Sequence, residues 1–372
     1  MTSPISDDRK RRVRFEDIAT LAGVSVSTVN RALNEIGSVS ERAKKKVLDA
    51  ARQLQINRIL PDERTPILHF DVLLPRHHSP LLKGMEQAFD FLNRSLGTSV
   101  HIHRKLFSWD DERSFATATR SPRYPRSGLI VFAPDRPLVR SALDAVIASG
   151  EPVAMLICDF QGLPEHFYCG IDHVVAGRTA GYWMSRLGPS KGRVLVALGM
   201  THNSCHDLRA EGFEAALKQF SPHLKAERLP AHTQDKPEVA RRMVNDALRQ
   251  GPIVGVYDTG YATQGIGSAL AKANVDQRVV WITHEMLDEH KQLLEDGRID
   301  LIIDQDPSAQ VLTAVRRLLR VNGRETQVSP IPPIELRLYS APNVPQENYL
   351  ERYLKFPAEI MEALPRQRRI GR

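Results

Sequence analysis

The sequence predicts an α/β protein: an N-terminal all-α helix-turn-helix head, then a two-lobed α/β body with parallel sheets. Three observations predict it. In residues 15–54, apolar side chains recur at helical spacing on either side of a glycine turn. Positive charge concentrates in the same region. From Ile67 onward, short apolar runs alternate with helix-length amphipathic segments.

The head reads as three helices. The first covers Phe15 to Ala22, with Ile18, Leu21 and Ala22 expected on its inner face. Gly23 supplies the backbone freedom of a sharp turn. Ser25 stands where an N-cap belongs, before a second helix from Val26 to Asn34 that turns Val29 and Leu33 inward. A third helix starts after Ser40 and runs through ERAKKKVLDAARQL, with Ala43, Val47, Ala50, Ala51 and Leu54 as its apolar stripe.

The body reads as strand followed by helix, repeatedly. Strands are expected at 67–74, 99–107, 128–133, 152–157, 193–198, 253–257, 279–283 and 300–304. Helices are expected at 80–95, 136–149, 174–187, 207–220, 237–250, 261–273 and 308–322. Such alternation implies parallel sheets covered on both faces. Roughly ten units strain one compact sheet, so two lobes with a cleft between them are expected. The domain plan is 1–58 for the head, 59–66 for a linker, 67–345 for the body and 346–372 for a tail. Lobe one would take about 67–173 and 306–335, lobe two about 174–305 and 336–345. Pro357 and Pro365 and the lack of heptads argue against a coiled coil in the tail.

Composition narrows the function classes. Of 372 residues, 42% are hydrophobic and 26% charged, as in an ordinary globular protein. No run is long and apolar enough for a membrane span, and no apolar segment follows the basic N-terminus, so a cytoplasmic location and no membrane partner are expected. Cys158, Cys169 and Cys205 form neither a disulfide framework nor a C-x-x-C metal signature, and read as buried small hydrophobes. Residues 1–58 hold twelve Lys and Arg against seven Asp and Glu, five of the seven net positive charges of the chain. A basic tip on a nearly neutral body is the footprint of a phosphate binder.

Catalytic signatures are lacking. Gly260, Gly265 and Gly267 make neither a dinucleotide fingerprint nor a phosphate loop. His101 with His103 and His202 with His206 are metal-like pairs without an evident third ligand. No cofactor, metal or catalytic residue is therefore expected.

Two sites follow from placement. The second helix of a helix-turn-helix lies in the major groove, which selects Ser25, Val26, Ser27, Thr28, Asn30 and Arg31. Val26 suits a thymine methyl, Ser27 offers a hydroxyl, and the Arg31 fork suits guanine or phosphate. Lys44 to Lys46 and the basic arm at 9–14 would neutralise phosphates and set register, and Ser38 is a further DNA-binding candidate. In the body, ligands sit beyond the carboxyl ends of parallel strands. That rule selects the loop with His77 and Ser79, then Asp159, the loop at 199–209 with Arg209, Asp258, Glu285 and Gln305. Carboxylates, an amide and an arginine suit a polyhydroxylated ligand. His77, His78 and Trp109 read more readily as surface or packing residues.

The stretch FEDIATLAGVSVSTVNRALN…VSERAKKKVLDAA resembles the N-terminal domain of the LacI (lactose repressor) family. LRAEGF, GVYDTGYATQGIGSAL and IDQDPSAQ are similar to the periplasmic-binding-protein-like effector domain of that family. The resemblance implies that Arg209 contacts a sugar and that Asp258, Glu285 and Gln305 join it. It implies a homodimeric transcriptional regulator that binds double-stranded operator DNA and a small-molecule effector: a sugar, polyol or sugar acid. The family usually has an asparagine where Asp258 stands. The usual hinge segment is replaced by QLQINRILPDERTPIL, whose Pro61 and Pro66 disfavour a full hinge helix. The alternative class is a sugar-binding protein of a transport system, which the basic head argues against.

Overall fold

A computed structural model describes residues 13–34, 36, 39–54, 56, 67–76, 79–97, 99–273, 278–324 and 330–345. The linker, the tail, Ser38, His77 and His78 lie outside the described residues. The chain divides into two compact units, Met1–Ile67 and Leu68–Arg372.

The first unit holds α1 (Phe15–Ala22), α2 (Val26–Asn34) and α3 (Glu41–Gln53). Gly23 closes α1 at φ 64°, a left-handed turn that costs a glycine little. The Ser25 hydroxyl accepts from the Thr28 amide at 3.1 Å, and that of Ser40 from the Ala43 amide at 3.3 Å, so both following helices start on capping side chains. Ile18, Ala19, Ala22, Val29, Leu33, Val47 and Ala51 form the core. Leu21 departs from the sequence expectation: it is 45% exposed, and Ala19 takes the inner position beside Ile18. The small residue lets α1 lie close to its neighbours.

The second unit contains two sheets. In the first, β1 (Leu68–Pro75), β2 (Val100–Phe107), β3 (Gly128–Val131), β4 (Val153–Leu156) and β5 (Phe167–Cys169) run parallel in the order β2-β1-β3-β4-β5. Helices α4 (Pro80–Ser95), α5 (Glu112–Arg120) and α6 (Pro137–Ala148) connect them. In the second, β6 (Gly192–Ala197), β7 (Leu224–Arg228), β8 (Gly255–Asp258), β9 (Val280–His284) and β10 (Leu301–Asp304) are parallel, while β11 (Arg337–Tyr339) joins β10 antiparallel. Their helices are α7 (His173–Leu187), α8 (Ser204–Phe220), α9 (Pro237–Arg249), α10 (Thr263–Lys272) and α11 (Asp288–Glu295). After β10 the chain crosses back, and α12 (Pro307–Val321) packs on α4, β4 and β5 of the first lobe. Three strands and two helices had no clear sequence signal: β5, β7, β11, α5 and α11.

Helices α7 and α8 approach until backbone meets backbone. A Cβ on Gly177 would lie 1.9 Å from the Arg209 carbonyl oxygen, and one on Gly212 2.2 Å from that of Val174. This contact fixes where α8 presents its side chains to the cleft. Gly177→Ala is expected to destabilise the fold by about 1–3 kcal/mol through overpacking, read as a lower urea midpoint. An unchanged midpoint would show that the helices have room to separate.

Candidate functional site

The carboxyl ends of β1, β4, β6, β8, β9 and β10 converge on a cavity of about 80 Å³ between the lobes. Pro75, Leu81, Trp109 and Phe132 give lobe one an apolar wall. Lobe two contributes Asn203, His206, Arg209, Asp235, Tyr261 and Glu285, and the crossover adds Gln305. Of the residues selected from sequence, Ser79, Arg209, Glu285 and Gln305 are brought together here.

Arg209 is 2% exposed, on the second turn of α8. Its Nη1 donates to the Thr259 carbonyl at 2.8 Å and its Nε to His173 Nδ1 at 3.2 Å. The His173 Nε2–H donates to the Ile157 carbonyl, so the ring is neutral with its Nδ1 lone pair toward the arginine. Burial and the Arg209 charge both hold the pKa of His173 well below its ordinary value. Nη2 of Arg209 lies 3.7 Å from Glu285 Oε1 and, like Glu285 Oε2, has no hydrogen-bond partner among the described residues. A buried guanidinium donor and a buried carboxyl oxygen thus face one cavity unsatisfied, a costly arrangement. Burial raises the Glu285 pKa to about 8; Arg209 opposes the shift and Asp304 adds to it.

A row of amides connects this carboxylate to the crossover. Gln305 Nε2 donates to Glu285 Oε1. Gln310 Nε2 donates to Gln305 Oε1 at 3.0 Å, and Gln310 Oε1 accepts from the Ile157 amide at 2.9 Å. Ile157, Glu285 and Asp306 all have positive φ, at 63°, 70° and 50°. For a β-branched residue such as Ile157 that backbone is strained, and such strain persists only where surrounding contacts impose it.

The loop after β6 reaches across the cleft. The Trp109 Nε1–H donates to the Thr201 carbonyl at 2.9 Å, and the Asp135 amide to that of His202 at 2.9 Å. Cys158 Sγ lies 2.6 Å from Asn203 Oδ1. These contacts join the two lobes. Trp109, expected as a packing residue, packs on Phe132 and also lines the cavity. Asn203, His206, Asp235 and Tyr261 had no sequence signal beyond lying near strand ends.

Two selected residues are placed elsewhere. Asp258 is fully buried and accepts from the Gly260 and Ala262 amides and the Thr263 hydroxyl, capping the start of α10. Asp159 turns outward to His166 Nε2 at 2.8 Å; that contact lowers the carboxyl pKa and raises that of the imidazole. The histidine pairs also diverge. His101 and His103 stack with His69 on the outer face of β1 and β2. His206 is buried, its Nδ1 against the Thr259 carbonyl. Cys158, His173 and Cys205 bring their donor atoms within 4.8 Å of one another, a gathering that sequence spacing could not show.

In the head, Ser25, Val26, Ser27, Asn30 and Arg31 are exposed along one side of α2, Val26 at 41%. The Thr28 hydroxyl is 2.8 Å from that of Ser25, within the cap. Arg31 Nε donates back to the Ser27 carbonyl at 3.4 Å, which lays its guanidinium along the exposed side. Lys44 is half-buried near the start of α3. The inner residues are spent on the core, so the outer row is left for a partner.

Comparison with known proteins separates the two units in the same way. Residues 14–56 match the bacterial regulatory proteins of the lacI family, and residues 126–325 match the periplasmic binding protein domain. The chain is 45% identical over 81 residues to the HTH-type transcriptional regulator RegA of Clostridium saccharobutylicum, covering 19% of this chain and 24% of that one. It is 24% identical over 213 residues to DegA of Bacillus subtilis (strain 168), covering 55% and 60%. These two matches span less than two thirds of those relatives. The Sucrose operon repressor of Pediococcus pentosaceus is 23% identical over 329 residues, covering 82% and 91%. Among solved structures, GanP, a glucose-galactose binding protein from Geobacillus stearothermophilus, shares the fold of the body. Its TM-score is 0.66 at 17% identity, over 76% of this chain and 100% of that one.

The raised Glu285 pKa makes stability depend on pH. Below the ordinary value of 4.5 both folded and unfolded chains carry the proton. Between there and about 8 the unfolded chain loses it while the folded chain keeps it, so stability falls as pH rises. Glu285→Gln is expected to flatten this slope in urea titrations at stepped pH; parallel curves would contradict it.

Proposed function

Because the chain belongs to the LacI family, joining a DNA-binding head to a periplasmic binding protein domain, we propose that it is a sugar-responsive transcriptional regulator. In this reading it represses carbohydrate transport or catabolism genes and acts as a homodimer. A single head reads only a few base pairs, whereas a symmetric pair reads two half-sites of a pseudo-palindromic operator. The effector is a sugar, polyol or sugar acid, held between the lobes and released unchanged.

The observation that carries the ligand class is the unsatisfied pair of Arg209 Nη2 and Glu285 Oε2. A hydroxyl both accepts and donates, so adjacent hydroxyls satisfy the guanidinium and the carboxylate together. An apolar wall with Trp109 and Phe132 suits the C–H face of a sugar ring. Donation to the ionised carboxylate favours its charged form, so a hydroxylated ligand expels the Glu285 proton and binds more tightly as pH rises toward about 8. The relative named as a sucrose operon repressor supports the same ligand class.

In this reading the metabolite stabilises the closed lobes and weakens the grip on the operator. The two affinities are then coupled reciprocally, by about 1–3 kcal/mol in typical cases.

Two substitutions separate the units. Arg31→Ala should weaken operator binding by about 1–3 kcal/mol if the guanidinium reads a base. An equal loss on random DNA, in the same mobility-shift titration, would make it a phosphate contact instead. Arg209→Ala should abolish the response to sugars while leaving operator affinity intact. A normal response would move the ligand out of this cleft.

A further inference from the structure

Cys158 and Cys205 approach each other from opposite sides of the cleft. Cys158 follows β4 in lobe one, and Cys205 stands on the first turn of α8 in lobe two. Both are 2% exposed, and both sit in the core cluster of lobe one, into which Cys205 is inserted. Their sulfurs lie within 4.8 Å of each other and share one acceptor, Asn203 Oδ1, at 2.6 Å and 2.9 Å. Cys205 also lines the ligand cavity, so a small solute reaches it by the route a metabolite would take.

We propose that Cys158 and Cys205 are a redox modification site: a reversible disulfide forms across the cleft and locks the two lobes together. Hydrogen peroxide supplies the oxidising equivalents. The Cys205 thiolate attacks a peroxide oxygen, the O–O bond breaks, and the departing oxygen takes up a proton as water. The resulting sulfenic acid is attacked by Cys158, which gives up its proton; the S–S bond forms and the hydroxide leaves as a second water. Two thiols are oxidised and one peroxide is reduced to two waters.

The environment assigns the roles. Burial alone would raise the Cys205 pKa, but the neighbouring Cys158, His206 and Arg209 lower it, and of the two thiols it is Cys205 that lines the cavity. Cys158, buried and beside that thiolate, is held well above its ordinary value. An acidic attacking thiol next to a resolving thiol is the arrangement that oxidation requires. A metal clamp on Cys158, Cys205 and His173 is disfavoured by the same geometry. Both ring nitrogens of His173 are already engaged, with Ile157 and Arg209, and the guanidinium would repel an incoming cation. The disulfide chemistry stands apart from the proposed function; only the expectation that locking the lobes changes operator affinity rests on that reading.

The test treats the reduced full-length chain with hydrogen peroxide, alkylates the remaining thiols, and maps chymotryptic peptides without reduction. Chymotrypsin cuts between Cys158 and Cys169, so the partners are resolved. The expected result is a Cys158–Cys205 cross-linked peptide that disappears with dithiothreitol. Two of the three thiols should be lost. The link should persist in Cys169→Ser and be lost in Cys158→Ser and Cys205→Ser. Cross-linking to Cys169, linkage between chains, or full alkylation of both thiols after peroxide would overturn the proposal. So would protection of both thiols by zinc alone, reversed by a chelator, which would indicate a metal clamp. A correct cross-link that leaves operator affinity unchanged supports the disulfide and counts against the regulatory reading instead.

Discussion

The site depends on one buried cation. A guanidinium taken out of water costs several kcal/mol unless its donors are met. Arg209 meets part of that cost through the Thr259 carbonyl and the neutral face of His173. The remainder faces Glu285 across 3.7 Å. The backbone that carries Arg209 is held in place, because α8 is pressed against α7 at Gly177 and Gly212. The charge is therefore held in a partly satisfied state, the condition under which a small polar ligand contributes most by completing the network.

Closure is arranged around that pair. The loop from Met200 to Ser204 carries contacts to Trp109, Asp135 and Cys158, all on the other lobe. Glu285, Gln305 and Gln310 form a second connection that ends on the Ile157 amide. Ile157, Glu285 and Asp306, each just beyond a strand that ends at the cleft, all have positive φ. A cleft with two independent connections between its walls has two ways to report what occupies it. Cys158 and Cys205 lie on the first, beside the cavity.

Much of this was legible in the sequence. Long periodic segments announced α1 to α4, α6 to α10, α12 and the central strands. The strand-end rule then pointed to Ser79, Arg209, Glu285 and Gln305. Edge strands escaped because they are short or carry little hydrophobic signal: β5 is only the three residues FYC, and β7 reads LKAER with one buried residue. Asp258 looked like a ligand group because a carboxylate at a strand end serves equally well as a cap, and only the amides of Gly260 and Ala262 decide between them. His206 and Asn203 lay in a loop with no periodicity, and their roles follow from contacts to Thr259 and the two thiols. Leu21 and Ala19 exchanged places because a helix face is about a residue wide, and the packing partner chooses between them.

The central claim is that filling the gap between Arg209 and Glu285 is what changes the grip on DNA. Its most direct test is reciprocal linkage. Operator affinity is measured with and without each member of a panel of neutral hexoses, pentoses and polyols, and the affinity for each binder with and without operator. The account predicts one sugar or polyol for which both factors are equal and differ from one, and for which both collapse to one in Arg209→Ala. A sugar that binds the cleft with both factors equal to one in the unaltered chain would contradict it.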